Sequence, residues 1–211
     1  IFFLTYLFML FVATSRAVYL GAGLGAGAAA SALAWQLFPH VQRRVEAWLD
    51  PWSDVADTGY QIAQSLFAVG TGGWMGMGLD QGLPEKIPVV EKDFMISAIS
   101  EELGGLFAIC LILICLGCFL QFMMIAVRMQ AMFYKLIAFG LGCEYIIQVL
   151  LTVGGAVKFI PLTGMTLPLV SYGGSSIAGT FILFSVIQGL YILKRNEEEE
   201  DEEEWSESKG K

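Results

Sequence analysis

"LGGLFAICLILICLGCFLQFMMIAV", residues 103–127, runs for 25 positions without an Asp, Glu, Lys or Arg. A helix that crosses a bilayer needs about 20 mostly apolar residues, so this stretch is long enough to span by itself. Working outward, Ile1 to Thr14, Ala17 to Phe38, Leu136 to Val157 and Ile177 to Leu193 are similarly apolar. With 56% hydrophobic side chains in 211 residues and a positive mean hydropathy, the composition excludes an ordinary soluble domain. An all-α polytopic membrane protein is predicted.

The predicted membrane domain covers 1–196. It holds a partial transmembrane helix at 1–14, spans at 17–38, 93–127, 135–157 and 177–193, a large loop at 39–92 and a broken segment at 158–176. Residues 197–211 carry nine acids against two lysines, a like-charge block expected to be a disordered tail. That block supplies most of the formal charge of −8. The chain opens on Ile1 in mid-run, with neither Met nor the charged start of a signal peptide, and is expected to be the C-terminal part of a longer protein.

Lys and Arg in short loops mark the cytoplasmic face. Arg16, Arg128 with Lys135, and Lys194 with Arg195 share one face if the spans alternate. The segments 39–92 and 158–176 are then extracellular and the acidic tail cytoplasmic.

Cys110, Cys115, Cys118 and Cys143 all fall inside predicted spans without CxxC spacing or a His in reach, so neither a disulfide framework nor a metal site is suggested. "GAGLGAGAAA" (Gly21 to Ala30) nearly fits a dinucleotide-binding pattern, but no strand precedes it. Small-residue helix packing through Gly21/Gly25 and Gly23/Gly27 is the better reading, and no organic cofactor is expected. "GGAVKFIPLTGMTLPLVSYGGSS" (Gly154 to Ser176) cannot be one helix, because Pro161 and Pro168 break it. Irregular backbone beside a bilayer is tolerated where protein buries it or where it lines a wet cavity. It is therefore expected to wall a site.

"IPVVEKDFMISAISEELG" (Ile87 to Gly104) puts carboxylates at and inside the start of the 93–127 run. On a helix starting near Asp93, helical spacing lines up Asp93, Ser97, Ser100, Glu101 and Gly104 on one face. Asp is a good N-cap, and the glutamates could pair ions between helices. A cap, however, needs no polar stripe beneath it, whereas a water-filled cavity does.

"GYQIAQSLFAVGTGGWMGMGL" (Gly59 to Leu79), "IPVVEKDFMISAISEELG" and "IPLTGMTLPLVSYGGSS" (Ile160 to Ser176), in that order, resemble the FtsW/RodA/SpoVE family, the SEDS proteins. The resemblance reaches from about Asp50 to Tyr191. It implies about five of the family's ten transmembrane helices. It also implies a glycosyltransferase of the bacterial inner membrane that polymerises lipid II into glycan strands for cell division, elongation or sporulation. The implied partners are lipid II, the nascent strand, a class B penicillin-binding protein and other divisome or elongasome membrane proteins, with no nucleic acid. By the same resemblance Asp93, directly before Phe94 and ahead of Glu101-Glu102-Leu103-Gly104, is the catalytic carboxylate. The family usually has His-Thr before that Asp; here Glu91-Lys92 stands instead.

Polymerisation requires the acceptor's 4-hydroxyl to attack the anomeric carbon of a lipid-linked donor and expel a polyprenyl diphosphate. Asp93 is the candidate base, with Glu101, Ser97 and Ser100 supporting it. The leaving group calls for positive charge or a divalent cation, Mg or Mn, and Lys86, Lys92, Lys158, Arg43 and Arg44 are the local cations. Gln61, Gln64, Ser65, Ser171, Tyr172, Ser175 and Ser176 offer hydrogen bonds to substrate. Two rival readings remain, a lipid II flippase, for which Glu144 is an intramembrane acid, and a non-catalytic scaffold for the transpeptidase.

Overall fold

A computed structural model describes residues 1–53, 55 and 59–209, with the backbone alone at 200–208. The described residues form α1 (Phe2–Thr14), α2 (Ala17–Leu37), α3 (Pro39–Leu49), α4 (Tyr60–Gly72), a 3-10 turn at Pro84–Lys86, α5 (Met95–Leu103), α6 (Gly105–Arg128), α7 (Met132–Ala156) and α8 (Gly174–Lys209). There is no strand among them. Four helices are long and apolar enough to cross a membrane: α2, α6, α7 and α8 over Gly174–Glu199. At 1.5 Å per residue, the 24 residues of α6 reach about 36 Å, more than the hydrocarbon core.

The helices alternate so that the turns at 15–16 and 129–131 lie at one end, and the segments 38–104 and 157–173 at the other. Both of the latter segments fold over their end of the bundle. Trp48 donates its indole N–H to Lys158 O at 3.1 Å, Ser65 donates to Ala156 O at 2.7 Å, and Tyr172 N donates to Glu91 O at 2.7 Å. Below them, Phe122 on α6, Tyr145 on α7 and Phe184 on α8 meet edge-on with ring centroids 5.2–5.9 Å apart. Such contacts hold three spans together by shape as well as by apolar area.

The helix expected from Asp93 to Val127 is in fact two. Gly104 has φ +91°, and a Cβ there would collide with the backbone of Trp74 to Gly76, so α5 stops and α6 starts afresh. The strip 73–78 crosses the break and satisfies both helix ends, which otherwise leave orphan backbone groups. Met77 N and Gly78 N donate to Glu101 O and Glu102 O at 2.9 and 3.0 Å, while Gly105 N and Leu106 N donate to Gly73 O and Trp74 O at 2.8 and 3.2 Å.

Residues 197–209, expected to be disordered, continue α8 to Lys209; 210 and 211 lie outside the described residues, as do 54 and 56–58 of the predicted 39–92 loop. Lys194–Glu198 (3.0 Å) and Arg195–Glu199 (3.3 Å) are i,i+4 pairs that carry the helix across the junction. In α2, only one of the two glycine pairs meets a helix. Gly23 abuts Leu7 and Gly27 lies 3.0 Å from Phe3 of α1 when a Cβ is placed on it, whereas Gly21 and Gly25 face open space.

Candidate active site

Asp93 sits in the turn just before α5, and its position is set by its neighbour. Phe94 is fully buried and anchors the turn in the apolar core, which leaves the half-buried Asp93 at the surface of that packing. Asp93 does not cap α5. The N-cap is Phe94, no side chain bonds the helix start, and the Asp93 carboxylate accepts no hydrogen bond among the described residues. A Cβ placed on Gly164, which has φ +73°, would lie 3.7 Å from Asp93 Oδ2. The broken segment thus passes directly over the carboxylate, and a left-handed glycine lets it do so. Burial pushes the Asp93 carboxyl above its ordinary value, and the charges of Lys92 and Arg44 oppose that rise.

Beside this point a cavity of about 670 Å³ opens between α7, α8 and residues 164–166. Its mouth is polar, with Lys92, Tyr172, Ser175, Ser176 and Thr166, and its depth is apolar, with Leu141, Ile182, Leu183 and Val186. Glu144, the middle residue of α7, also lines it. The wall is held by a stripe on α7: Gln148 Nε2 donates to Thr166 O at 2.9 Å and Thr152 Oγ1 to Met165 O at 3.0 Å. Thr166 Oγ1 then donates to Ser176 Oγ at 2.7 Å, closing the irregular segment onto α8. Sequence reasoning missed Gln148, Thr152 and Gly164. The signal was the i, i+4, i+8 recurrence of Glu144, Gln148 and Thr152 in an otherwise apolar helix.

Several other expected site residues are committed elsewhere. Ser97 is buried and its Oγ lies 2.6 Å from Ser65 Oγ, while Ser100 Oγ donates to Ile96 O at 2.7 Å. Glu101, also buried, accepts from Leu83 N at 3.2 Å through Oε1, and its Oε2 has no partner among the described residues. Among the described residues the polar face below Asp93 is therefore packed against protein: α4 takes the Ser97 hydroxyl, the 80–84 loop takes Glu101, and Ser100 bonds back to its own helix. Lys158 Nζ donates to Leu49 O at 3.2 Å. Lys86 lies in a separate hollow with Asp80, Glu85 and Glu102. Ser171 is buried, its Oγ accepting from Leu167 N at 3.0 Å. Gln61 lines a small hollow with Arg43 and Arg44, and Gln64 lies half-buried on α4. The fold thus gathers Asp93, Lys92, Tyr172, Ser175 and Ser176, and separates Lys86, Lys158, Ser97, Ser100, Ser171 and Glu101 from them.

The divalent cation expected from the chemistry does not match this donor set. Asp93 is one carboxylate flanked by two cations, and no group of three His, Cys, Asp or Glu converges among the described residues.

A sequence model of the FtsW/RodA/SpoVE family, described as cell cycle protein, matches residues 1–196. The chain belongs to this family. Among relatives, the peptidoglycan glycosyltransferase RodA of Mycobacterium tuberculosis is 38% identical over 183 residues, 87% of this chain and 39% of that protein. FtsW of Aliivibrio salmonicida is 40% identical over 161 residues, 73% of this chain and 39% of that protein. The chain therefore spans about two fifths of these relatives' length. A solved structure of a peptidoglycan synthase complex, described as coordinating polymerization and crosslinking, superposes with a TM-score of 0.68 at 25% identity, covering 89% of this chain and 52% of that one. With four helices among its described residues long and apolar enough to cross a membrane, this FtsW/RodA/SpoVE chain is a multi-pass membrane protein.

Proposed function

We propose that this chain forms part of a membrane glycosyltransferase that polymerises lipid II into peptidoglycan glycan strands, with Asp93 as general base. The observation that carries the reading is the uncapped, half-buried Asp93 carboxylate against Gly164, next to a cavity that Lys92 and Gly164 line and whose lining grades from polar to apolar. That gradient suits a sugar head group on a long lipid. Asp93 takes the proton of the acceptor 4-hydroxyl as its oxygen bonds to the anomeric carbon, and the bond from that carbon to the diphosphate breaks. Base catalysis of this kind contributes about 10²- to 10⁴-fold. The raised Asp93 pKa suits the role, since a base closer to neutrality transfers protons more effectively. The polyprenyl diphosphate departs into the membrane. Tyr172, Ser175 and Ser176 supply hydrogen bonds at the cavity mouth. The synthase complex that coordinates polymerization and crosslinking supports a class B penicillin-binding protein as partner. The cavity end of the bundle is then extracellular and the α8 terminus cytoplasmic, as the Lys and Arg distribution favours.

The test uses the full natural chain with its partner and lipid II, comparing wild type with Asp93→Ala. Glycan polymer should fall by two to four orders of magnitude; undiminished polymer rejects Asp93 as base. Glu144 in the cavity wall at mid-helix favours a second reading, a lipid II flippase. Transport of labelled lipid II across vesicles without polymer, lost in Glu144→Gln, would support that reading instead.

A further inference from the structure

The cavity beside Asp93 leaves the departing diphosphate unaccounted for. Among the described residues, one cation lines it, Lys92. Of the others, Lys158 is bonded to the end of α3 and Lys86 lies among carboxylates. We propose that Arg43 and Arg44 of α3, with Gln61 of α4, form a subsite for the diphosphate of a polyprenyl lipid. The inference rests on the glycosyltransferase reading above and extends it to the leaving group.

Neighbouring guanidinium groups repel one another and are ordinarily relieved by a carboxylate. Among the described residues the ion pairs within 4.0 Å are Lys194–Glu198 and Arg195–Glu199, so neither arginine has one. Both line a hollow of about 170 Å³ with Gln61 and Leu162. That volume falls below the roughly 300 Å³ at which pockets for drug-sized ligands begin, and suits a small group such as diphosphate. A planar guanidinium holds phosphate oxygens through two parallel N–H bonds, which an ammonium cannot do.

Location adds to the argument. Arg44 Nη1 approaches Leu162 O at 3.4 Å, and two residues further on Gly164 lies against Asp93. The charge of Arg44 is felt at the Asp93 carboxylate. The hollow and the base are therefore neighbours along one strip of backbone. α3 also follows directly on the spanning helix α2, and around it Trp35, Phe38 and Trp52 are about half exposed. Such aromatic rings mark head-group depth, where a lipid-borne diphosphate must sit.

The chemistry recognised here is a phosphate ester at the membrane surface, which a substrate diphosphate or a bulk phospholipid could supply. The test therefore measures binding of polyprenyl diphosphate to the full natural chain in nanodiscs, with polyprenyl monophosphate and phosphatidylglycerol as competitors. Arg44→Gln should weaken diphosphate binding by about tenfold or more, the size of one charge-assisted bond lost. The double variant Arg43→Gln/Arg44→Gln should lose more, and Arg43→Lys/Arg44→Lys should recover part of it. Asp93→Asn, which removes a negative charge, should bind at least as tightly while losing polymerisation. Binding by the double glutamine variant within twofold of wild type, at equal monodispersity, overturns the proposal. So does phosphatidylglycerol competing as well as diphosphate at equal mole fraction, which makes the hollow a lipid anchor. Undiminished polymer from Asp93→Asn with diphosphate binding still lost in the arginine variant would reject the base and leave the subsite standing.

Discussion

Ser65 on α4 ties together the three elements that carry Asp93 and its cavity wall, and the tie has an unusual energetic signature. Its Oγ lies 2.6 Å from Ser97 Oγ on α5 and donates to Ala156 O at the end of α7 at 2.7 Å, with both serines fully buried. Ser65 thus spends its proton on Ala156 O and accepts from Ser97. Ser97→Ala removes one bond and leaves Ser65 satisfied, costing about 1 kcal/mol. Ser65→Ala removes both bonds and strands two buried groups, Ala156 O and Ser97 Oγ, at about 1–3 kcal/mol each, so a total of about 3 kcal/mol is expected. The double variant strands only Ala156 O and should cost about 2 kcal/mol. Adding Ser97→Ala to Ser65→Ala is therefore predicted to stabilise the protein, with a coupling of about −2 kcal/mol. Denaturant titration of the four proteins in mixed micelles, followed by far-UV circular dichroism, measures the cycle. Additivity within about 0.5 kcal/mol, or a Ser65→Ala cost no larger than that of Ser97→Ala, would refute the assignment of donor and acceptors.

Three further outcomes follow from named contacts. Burial raises the Asp93 pKa from its ordinary 3.8 and Lys92 holds it down. A base must be ionised, so Lys92→Gln should move the acid limb of the polymerisation rate profile to higher pH; an unmoved or lowered limb would contradict the reading. Gly104→Ala places a Cβ in the left-handed region and against the Trp74 to Gly76 backbone. It should cost well over about 1–2 kcal/mol, seen as a lowered unfolding midpoint. Phe122→Ala removes the ring shared by Tyr145 and Phe184 and should cost about 3–5 kcal/mol in the same titration.

Asp93 was legible as a candidate because a carboxylate heading an apolar run is rare and expensive, and because the motifs around it resemble those of a known family. Its supporting cast was not legible. Helical spacing aligned Ser97, Ser100 and Glu101 beneath it, but spacing cannot tell whether a polar face meets water or another helix, and here α4 takes Ser97, the 80–84 loop takes Glu101 and Ser100 bonds back to Ile96 O of its own helix. Lys158 and Lys86 lie away from the cavity for a related reason. A cation's sequence position does not reveal which carbonyl takes it or which hollow it lines.

The sequence by itself determined the membrane class, the long apolar stretches that become α2, α6, α7 and α8, and the break before the last helix, since length, apolarity and proline chemistry are local properties. Tertiary structure alone decided that the 93–127 run is two helices, because Gly104 is forced to a positive φ by the 73–78 strip crossing it. It alone brought Gly164, from the far side of the chain, against Asp93, and set Arg44 beside the same strip. Those contacts join residues separated by some seventy to one hundred and twenty positions, a range over which neither periodicity nor propensity carries information.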